Sequence, residues 1–423
     1  MFRRSFLYRG AQALGVLPWL HHFDERALRD FVGSYSAKNA ETIVRDESFW
    51  RRIQQEFTVS PTILNLNNGG VSPQPISVQR AHDRYYHYAN EAPSYYMWQI
   101  LDKGREPLRE NLAQLAGVDS EEIALVRNTS EALETVIFGL RLQSGDEVVV
   151  CHYDYPNMMN AWKQRAHRDG IVLKWVDLKL PTMNTDDIVA RYVAQFTSKT
   201  KVVHLTHLLH WTGQIMPVGA IAREARKREI EVIADGAHSF AHIDYAIPDL
   251  ACDYYGTSLH KWLCAPFGTG MLYVRAPKIK SLYPLFAAPD PESSDIRKFE
   301  NLGTRSFATE QAIGQAINFH YLIGTKRKAE RLFYLKNYWV ERVQKLRGVR
   351  VRTPLQPDWS GALALLEIEG RTGTEIHQHL WRNHKIHTVP IPYRDLDGVR
   401  ITPNVYTLTS DLDRLVRAIS ELV

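Results

Sequence analysis

From residue 60 onward, short apolar runs alternate with stretches of helical periodicity, and this rhythm constrains the fold more than any other feature of the chain. Ile123–Val126, Glu147–Cys151, Val202–Leu205 and Glu231–Ala234 read as strands. Their near-continuous apolar character suits strands covered on both faces, the habit of parallel sheets. Between the first two, Glu131 to Leu142 places Leu133, Val136, Ile137 and Leu140 on one helical face, which predicts a helix packed against a core. The expected fold class is therefore α/β, with a large doubly wound, mostly parallel sheet domain. A further strand, Gly270–Arg275, is followed by a Pro- and Ser-rich loop (Pro289–Ser294), long helical segments and the apolar run Ala362–Leu366, which points to a smaller α+β domain. The expected boundaries are 1–46 for an N-terminal leader, 47–300 for the large domain and 301–423 for a linking helix and the small domain. The N-terminal segment of the large domain is expected to contribute to the small one.

The chain has 423 residues, 44% hydrophobic and 23% charged, enough to bury a sizeable core and unlike a disordered or polytopic membrane protein. A formal charge of +5 spread over that length gives no basic patch, so no nucleic-acid partner is expected. Cys151, Cys252 and Cys264 are odd in number and form no CxxC pair, which indicates neither a disulfide framework nor a cysteine zinc site. Phe2-Arg3-Arg4-Ser5-Phe6-Leu7 has the form of a twin-arginine export signal, but its apolar region is short and lacks a clear cleavage site. A cytoplasmic location is the expectation, with export through Arg3 and Arg4 as the alternative; no membrane span is expected.

The chemistry is concentrated between residues 231 and 270. One strand ends at Asp235 of Asp235-Gly-Ala-His238, and the next strand-like run ends at Ser258-Leu-His260-Lys261. In an open α/β sheet, ligands sit outside the carboxyl ends of the strands. A carboxylate and a lysine sharing that crevice are, taken alone, most simply a buried structural ion pair. Together with a phosphate cradle they fit pyridoxal phosphate. This cofactor needs a lysine for its Schiff base and an acid that keeps its pyridine nitrogen protonated. Arg127-Asn128-Thr129-Ser130-Glu131 offers the cradle: it follows a strand and opens a helix, whose free N–H groups and dipole favour an anion, with the Thr129 and Ser130 hydroxyls as added donors.

Leu66-Asn-Asn-Gly-Gly-Val-Ser-Pro73, Asn128-Thr-Ser130, Asp235-Gly-Ala-His238, Ser258-Leu-His-Lys-Trp-Leu263 and Val399-Arg-Ile-Thr-Pro-Asn-Val-Tyr406 carry a resemblance to fold type I pyridoxal-phosphate enzymes of the class V aminotransferase family. Within that family the chain is most similar to the isopenicillin-N-epimerase-like group. The resemblance covers roughly residues 47 to 423 and implies that Lys261 forms the Schiff base, Asp235 pairs with the ring nitrogen and His238 reaches the ring hydroxyl. Thr129, Ser130, Ser258 and His260 are implied at the phosphate, Tyr155 over the ring, and Arg400 and Asn68 at the substrate. A bidentate guanidinium at Arg400 suits an α-carboxylate. Gly303-Thr304 resembles a segment that relatives donate across a homodimer interface, so Thr304 is implied at the phosphate of a partner's site.

Two departures narrow the activity. Desulfurases of this family carry a nucleophilic cysteine shortly before the carboxylate-binding arginine, whereas this chain has none between residues 265 and 423, which argues against desulfuration. His210 stands in His207-Leu-Leu-His210-Trp-Thr-Gly213 where many relatives have asparagine. The expected substrate is an amino acid or amino-acid conjugate, reacting at its α or β carbon by epimerisation or carbon–sulfur lysis, with transamination as the alternative. Epimerisation needs a second acid on the far face, for which His210 and Tyr155 are the candidates.

The rival classes are a metal-dependent hydrolase and a non-catalytic binding protein. His204, His207 and His210 would alternate faces on a strand, and His238 and His242 enclose no HExxH glutamate, so no metal is expected.

Overall fold

The computed structural model describes residues 25–36 and 38–423, and the Arg3–Arg4 motif lies outside them. The chain divides into two units, Met1–Lys38 and Asn39–Val423. In the first, α1 is the helix Glu25–Ser34. The second begins ahead of the residue 47 boundary read from the sequence: α2 (Ala40–Arg45) buries Ile43 and Val44, and the Arg331 guanidinium donates to the Val44 carbonyl at 3.0 Å. Among the described residues, no helix is long and apolar enough to cross a membrane.

A short strand β1 (Leu64–Asn65) precedes the main sheet. That sheet contains β2 (Ile123–Val126), β3 (Glu147–Cys151), β4 (Val172–Val176), β5 (Thr200–Thr206), β6 (Glu231–Asp235), β7 (Tyr254–Ser258) and β8 (Gly270–Val274), in the order β2-β8-β7-β6-β5-β3-β4. Pairing is parallel from β7 through β4 and antiparallel only where β8 joins β7 and β2.

The two faces of this sheet explain the unbroken apolar runs. Val149, Cys151, Val203, Leu205, Val232 and Ala234 belong to one core cluster, whereas Val148, Val150, Val202 and Ile233 belong to the other. Successive side chains point to opposite faces of a strand, so a sheet buried on both sides needs apolar residues at every position. Each Val, Leu or Ile among them contributes about 1.5–3 kcal/mol when fully buried.

The helix α3 (Thr129–Gly139) starts and stops earlier than its apolar stripe suggests. Asn128 is extended and its side chain accepts from the Glu131 N–H, which sets the first turn at Thr129. At the other end the Gly139 carbonyl accepts from the Tyr283 N–H at 3.1 Å, and Leu140 turns to extended backbone, so tertiary contact ends the helix before Leu142. Helix α4 (Pro156–Asp169) follows β3 and begins with Pro at its first position.

A second, four-stranded antiparallel sheet has the order β12-β13-β10-β9, built from β9 (Val349–Val351), β10 (Ala364–Ile368), β12 (Val389–Tyr393) and β13 (Leu396–Ile401). Strand β11 (Ile386–His387) pairs with β1 in parallel, which ties the segment before the large sheet to this region. Helices α5 (Thr325–Val343), α6 (Gly373–His384) and α7 (Thr409–Ser420) share a core with the second sheet through Trp339, Val340, Ile376, Leu380, Leu412 and Leu415. Arg400 sits on β13 opposite Val389 and Leu365, and the bridge between Asn67 and Thr402 brings the Asn-Gly-Gly segment beside it.

Candidate active site

Three strands of the large sheet end side by side at the site. Thr206 closes β5, Asp235 closes β6 and pairs with it in register, and Ser258 closes β7. The loops beyond these ends, the first turn of α3 and Arg400 enclose a cavity of about 280 Å³. Its wall includes Gly69, Gly70, Asn128, Thr129, Ser130, Tyr155, Met158, Thr206, His210, Asp235, Ala237, His238, Ser258, His260, Lys261 and Arg400.

At one end, the Thr129 N–H donates to Ser258 Oγ at 3.0 Å, and the two hydroxyl oxygens lie 2.7 Å apart. The start of α3 is thus pinned to the end of β7, with backbone N–H groups and hydroxyls gathered where an anion is favoured. Gly270 makes this possible: a Cβ there would stand 2.6 Å from the backbone of Asn128. Gly270→Ala is expected to displace the turn and weaken cofactor binding by about tenfold or more, in line with the roughly 1–3 kcal/mol cost of overpacking. Gly314, where a Cβ would meet nothing within 4 Å, is the control that should leave binding unchanged, and titration of cofactor fluorescence reads both.

Lys261 Nζ lies 3.3 Å from His238 Nε2. Burial pulls its pKa from 10.5 down to about 8; Asp235 opposes that fall and Arg400 adds to it. Burial also lowers the pKa of Lys328 to about 8 and of Lys336 to about 7, and lowers that of Lys298, which donates to the Ile279 and Pro291 carbonyls. They are engaged elsewhere: Lys328 donates to the Trp262 carbonyl, and Lys336 to the Pro354 carbonyl and Ser360 Oγ. Of the four, only Lys261 reaches the cavity.

Asp235 accepts from the Ala237 N–H at 2.9 Å, and burial raises its pKa, although that bond and Lys261 favour the carboxylate. His238 is held neutral, well below 6.5, by burial first and then by Lys261 and Arg400. Its Nδ1 is buried without a hydrogen-bond partner. Its carbonyl accepts from His242 Nδ1–H at 2.6 Å, while His242 Nε2 accepts from the Ala362 N–H at 2.7 Å. His242 therefore spends both nitrogens on backbone and has none for a metal. His260 Nδ1–H donates to the Thr269 carbonyl at 3.1 Å, leaving Nε2 uncommitted.

On the opposite wall, Arg400 donates to the His210 carbonyl at 3.1 Å and to Asn67 Oδ1 at 3.0 Å. Its Nε is buried without a partner, and among the described residues no carboxylate pairs with it. Burial lowers its pKa to about 10. A buried guanidinium with no counter-ion calls for an anionic ligand. Tyr155 meets His210 edge-on, ring centroids 5.0 Å apart. Behind them Asp154 accepts from the Cys151 and Thr206 N–H groups and the Thr206 hydroxyl; burial raises its pKa to about 7.

Lys261, Asp235, His238, Thr129, Ser130, Tyr155, Ser258, His260 and Arg400 are thus brought together. Asn68 is not. Its amide is spent on the Asn65 and Thr402 carbonyls, the Asn65 side chain and the Tyr406 hydroxyl, so it braces the loop while Gly69 and Gly70 form the wall. Thr304 is exposed and, with Gly303, lies beside a separate cavity of about 520 Å³ lined by Trp98, Arg105, Arg297 and Arg305. Thr206, Met158 and Ala237 were missed; Thr206 had a signal, because it ends a strand next to Asp235.

The family model for class-V aminotransferases matches residues 64–388. The chain belongs to that family. Isopenicillin N epimerase from Streptomyces clavuligerus is 28% identical over 393 residues, covering 88% of this chain and 98% of the relative. A probable cysteine desulfurase from Halalkalibacterium halodurans is 28% identical over 320 residues, covering 71% of this chain and 77% of the relative. Among solved structures, a mutant of the cystine C–S lyase C-DES, with glycine covalently linked to its PLP cofactor, superposes with a TM-score of 0.78 at 21% identity. That match covers 87% of this chain and 99% of the other, and it places the fold among fold type I enzymes. The protein is a class V pyridoxal-phosphate enzyme, and the cavity fits that cofactor on its own chemistry: an amine of low pKa, an acid, a neutral histidine with an unpartnered ring nitrogen, and an anion cradle.

Proposed function

We propose that the enzyme acts at the α or β carbon of an α-amino acid or amino-acid conjugate, as an epimerase or a carbon–sulfur lyase. The observation that carries this reading is the buried Arg400 guanidinium, without a counter-ion, in the same cavity as Lys261. Thr129, Ser130, Ser258 and His260 would hold the phosphate of pyridoxal phosphate, Asp235 its ring nitrogen and His238 its ring oxygen, with Tyr155 near the ring. When bound, the cofactor joins the substrate amine through its aldehyde and withdraws electrons from a carbanion at Cα.

The residues divide the remaining work. Arg400 orients the α-carboxylate through charge-assisted bonds, and the hold of Asn67 and the His210 carbonyl keeps its plane in place. With a pKa of about 8, Lys261 has an accessible neutral amine near neutral pH and can take a proton from Cα and return it. Asp235, as a carboxylate, keeps a proton on the ring nitrogen. For epimerisation the second proton must come from the other face. Tyr155 and His210, which share the cavity wall with ring centroids 5.0 Å apart, are the candidates for that role. Desulfuration is disfavoured because all three cysteines are buried and burial raises each thiol pKa. A second copy of the chain would supply Gly303–Thr304 to the phosphate, making a homodimer.

Two measurements follow. Capture of pyridoxal phosphate by apo-protein should accelerate as pH rises through about 8, because the lowered Lys261 pKa makes the neutral amine predominant there; a midpoint near 10.5 would mean an exposed, ordinary lysine. Incubation with a panel of amino acids and S-substituted cysteines in deuterated water identifies the reaction. Pyruvate with released thiol indicates a lyase, and deuterium at Cα with inversion an epimerase. Conversion of the cofactor to its amine form alone would overturn the proposal in favour of transamination.

A further inference from the structure

His379 and His384 lie on α6, and Glu421 caps the end of α7. One nitrogen from each histidine and one carboxylate oxygen fall within 4.8 Å of one another, the one such cluster of three or more among the described residues. Glu421 Oε2 is 2.8 Å from His384 Nε2 and 3.5 Å from His379 Nε2. The two imidazole rings stand 5.3 Å apart.

A simple ion pair between Glu421 and His384 accounts for the shorter contact only. It leaves His379 Nε2 buried and without a hydrogen bond. The ring has a neighbour on its other side: Asn383 Nδ2 lies 3.1 Å from His379 Nδ1. Exchanging the two ends of that amide, which differ only in the placement of O and N, lets its oxygen accept from Nδ1–H and turns the Nε2 lone pair to the cluster, the arrangement that orients metal-bound histidines.

The spacing also suits an ion. Bonds of about 2.0–2.1 Å in tetrahedral geometry put neighbouring ligand atoms about 3.3 Å apart, between the two separations observed. The location favours positive charge, because α6 ends at His384 and α7 at Ser420, so two helix C-termini converge there. Arg414 also donates to the His384 carbonyl.

We propose that His379, His384 and Glu421 bind a divalent transition-metal ion of the zinc class, with solvent completing its coordination, and that the ion links the ends of α6 and α7. Two imidazoles and a carboxylate are the donor set of a borderline-soft metal rather than of calcium or magnesium. The inference is independent of the proposed reaction and involves no residue of the cofactor cavity.

Chelator-treated holoenzyme titrated with Zn²⁺ against a chromophoric competitor should take up one ion per chain, and His379→Ala and Glu421→Gln should each weaken that ion by at least about tenfold. Glu421→Gln keeps the size of the side chain, which guards against a folding defect, and the cofactor absorbance should be the same in all three proteins. No stoichiometric uptake by the parent chain, or the parent's affinity retained in His379→Ala and Glu421→Gln, would overturn the assignment.

Discussion

Lys261→Ala protein is expected to lose turnover by at least about 10³-fold while keeping its fold, because the proposed carrier of the Cα proton is gone and such groups contribute about 10²–10⁴-fold. The loss should fall on kcat rather than KM, since Arg400, the proposed anchor of the carboxylate, is unchanged. Folding should survive: removing a buried amine whose pKa is already lowered by burial relieves a desolvated charge. Thermal unfolding of the apo-protein checks that point, and added pyridoxal phosphate should bind reversibly, without becoming fixed by borohydride. Lys328→Ala is the informative companion. That lysine has a similarly lowered pKa but donates to the Trp262 carbonyl outside the cavity, so its loss should destabilise the protein and leave the chemistry at Lys261 in place. Normal turnover by Lys261→Ala would end the account.

Asp235→Asn should lower kcat by about 10²-fold or more with little change in cofactor occupancy. Asparagine has the same shape and its oxygen can still accept from the Ala237 N–H, but it brings no negative charge to the ring nitrogen. The stability sign runs the other way. Burial raises the Asp235 pKa, so at neutral pH the fold carries the cost of an ionised, desolvated carboxylate. A group with a raised folded-state carboxyl pKa opposes stability once pH exceeds its unfolded value. The neutral amide should therefore leave apo-protein stability unchanged or higher, and equal losses of stability and activity would mean that Asp235 is a structural residue.

The large sheet was legible because its physics is local in sequence. Strands buried on both faces must be apolar throughout, and β3, β5 and β6 show that pattern without help from distant residues. Asp235 and Ser258 were legible for the same reason, since the end of a strand is where a crevice forms. The lengths of the elements were less so. α3 stops at Gly139 because Tyr283, far along the chain, takes the carbonyl that a further turn would use.

Contacts across long separations were hidden altogether. Asn67 holds Arg400 through a bond between residues 333 apart, and no spacing rule announces it. Asn68 illustrates the converse error: a motif names the right loop, but only the positions of Asn65, Thr402 and Tyr406 reveal that its amide is already saturated. His379 and His384 are five apart, outside the three- and four-residue spacing that aligns side chains on a helix, and their partner Glu421 comes from another helix. Periodicity could not have joined them.

Burial lowers the pKa of four lysines, Lys261, Lys298, Lys328 and Lys336, and only Lys261 reaches the cavity. Borohydride reduction of the holoenzyme, followed by proteolysis and mass analysis, decides between them. A pyridoxyl group on the peptide containing Lys261, near one per chain, is the predicted result. A colourless protein that takes up no cofactor, or an adduct on Lys298, Lys328 or Lys336 with Lys261 unmodified, would contradict it.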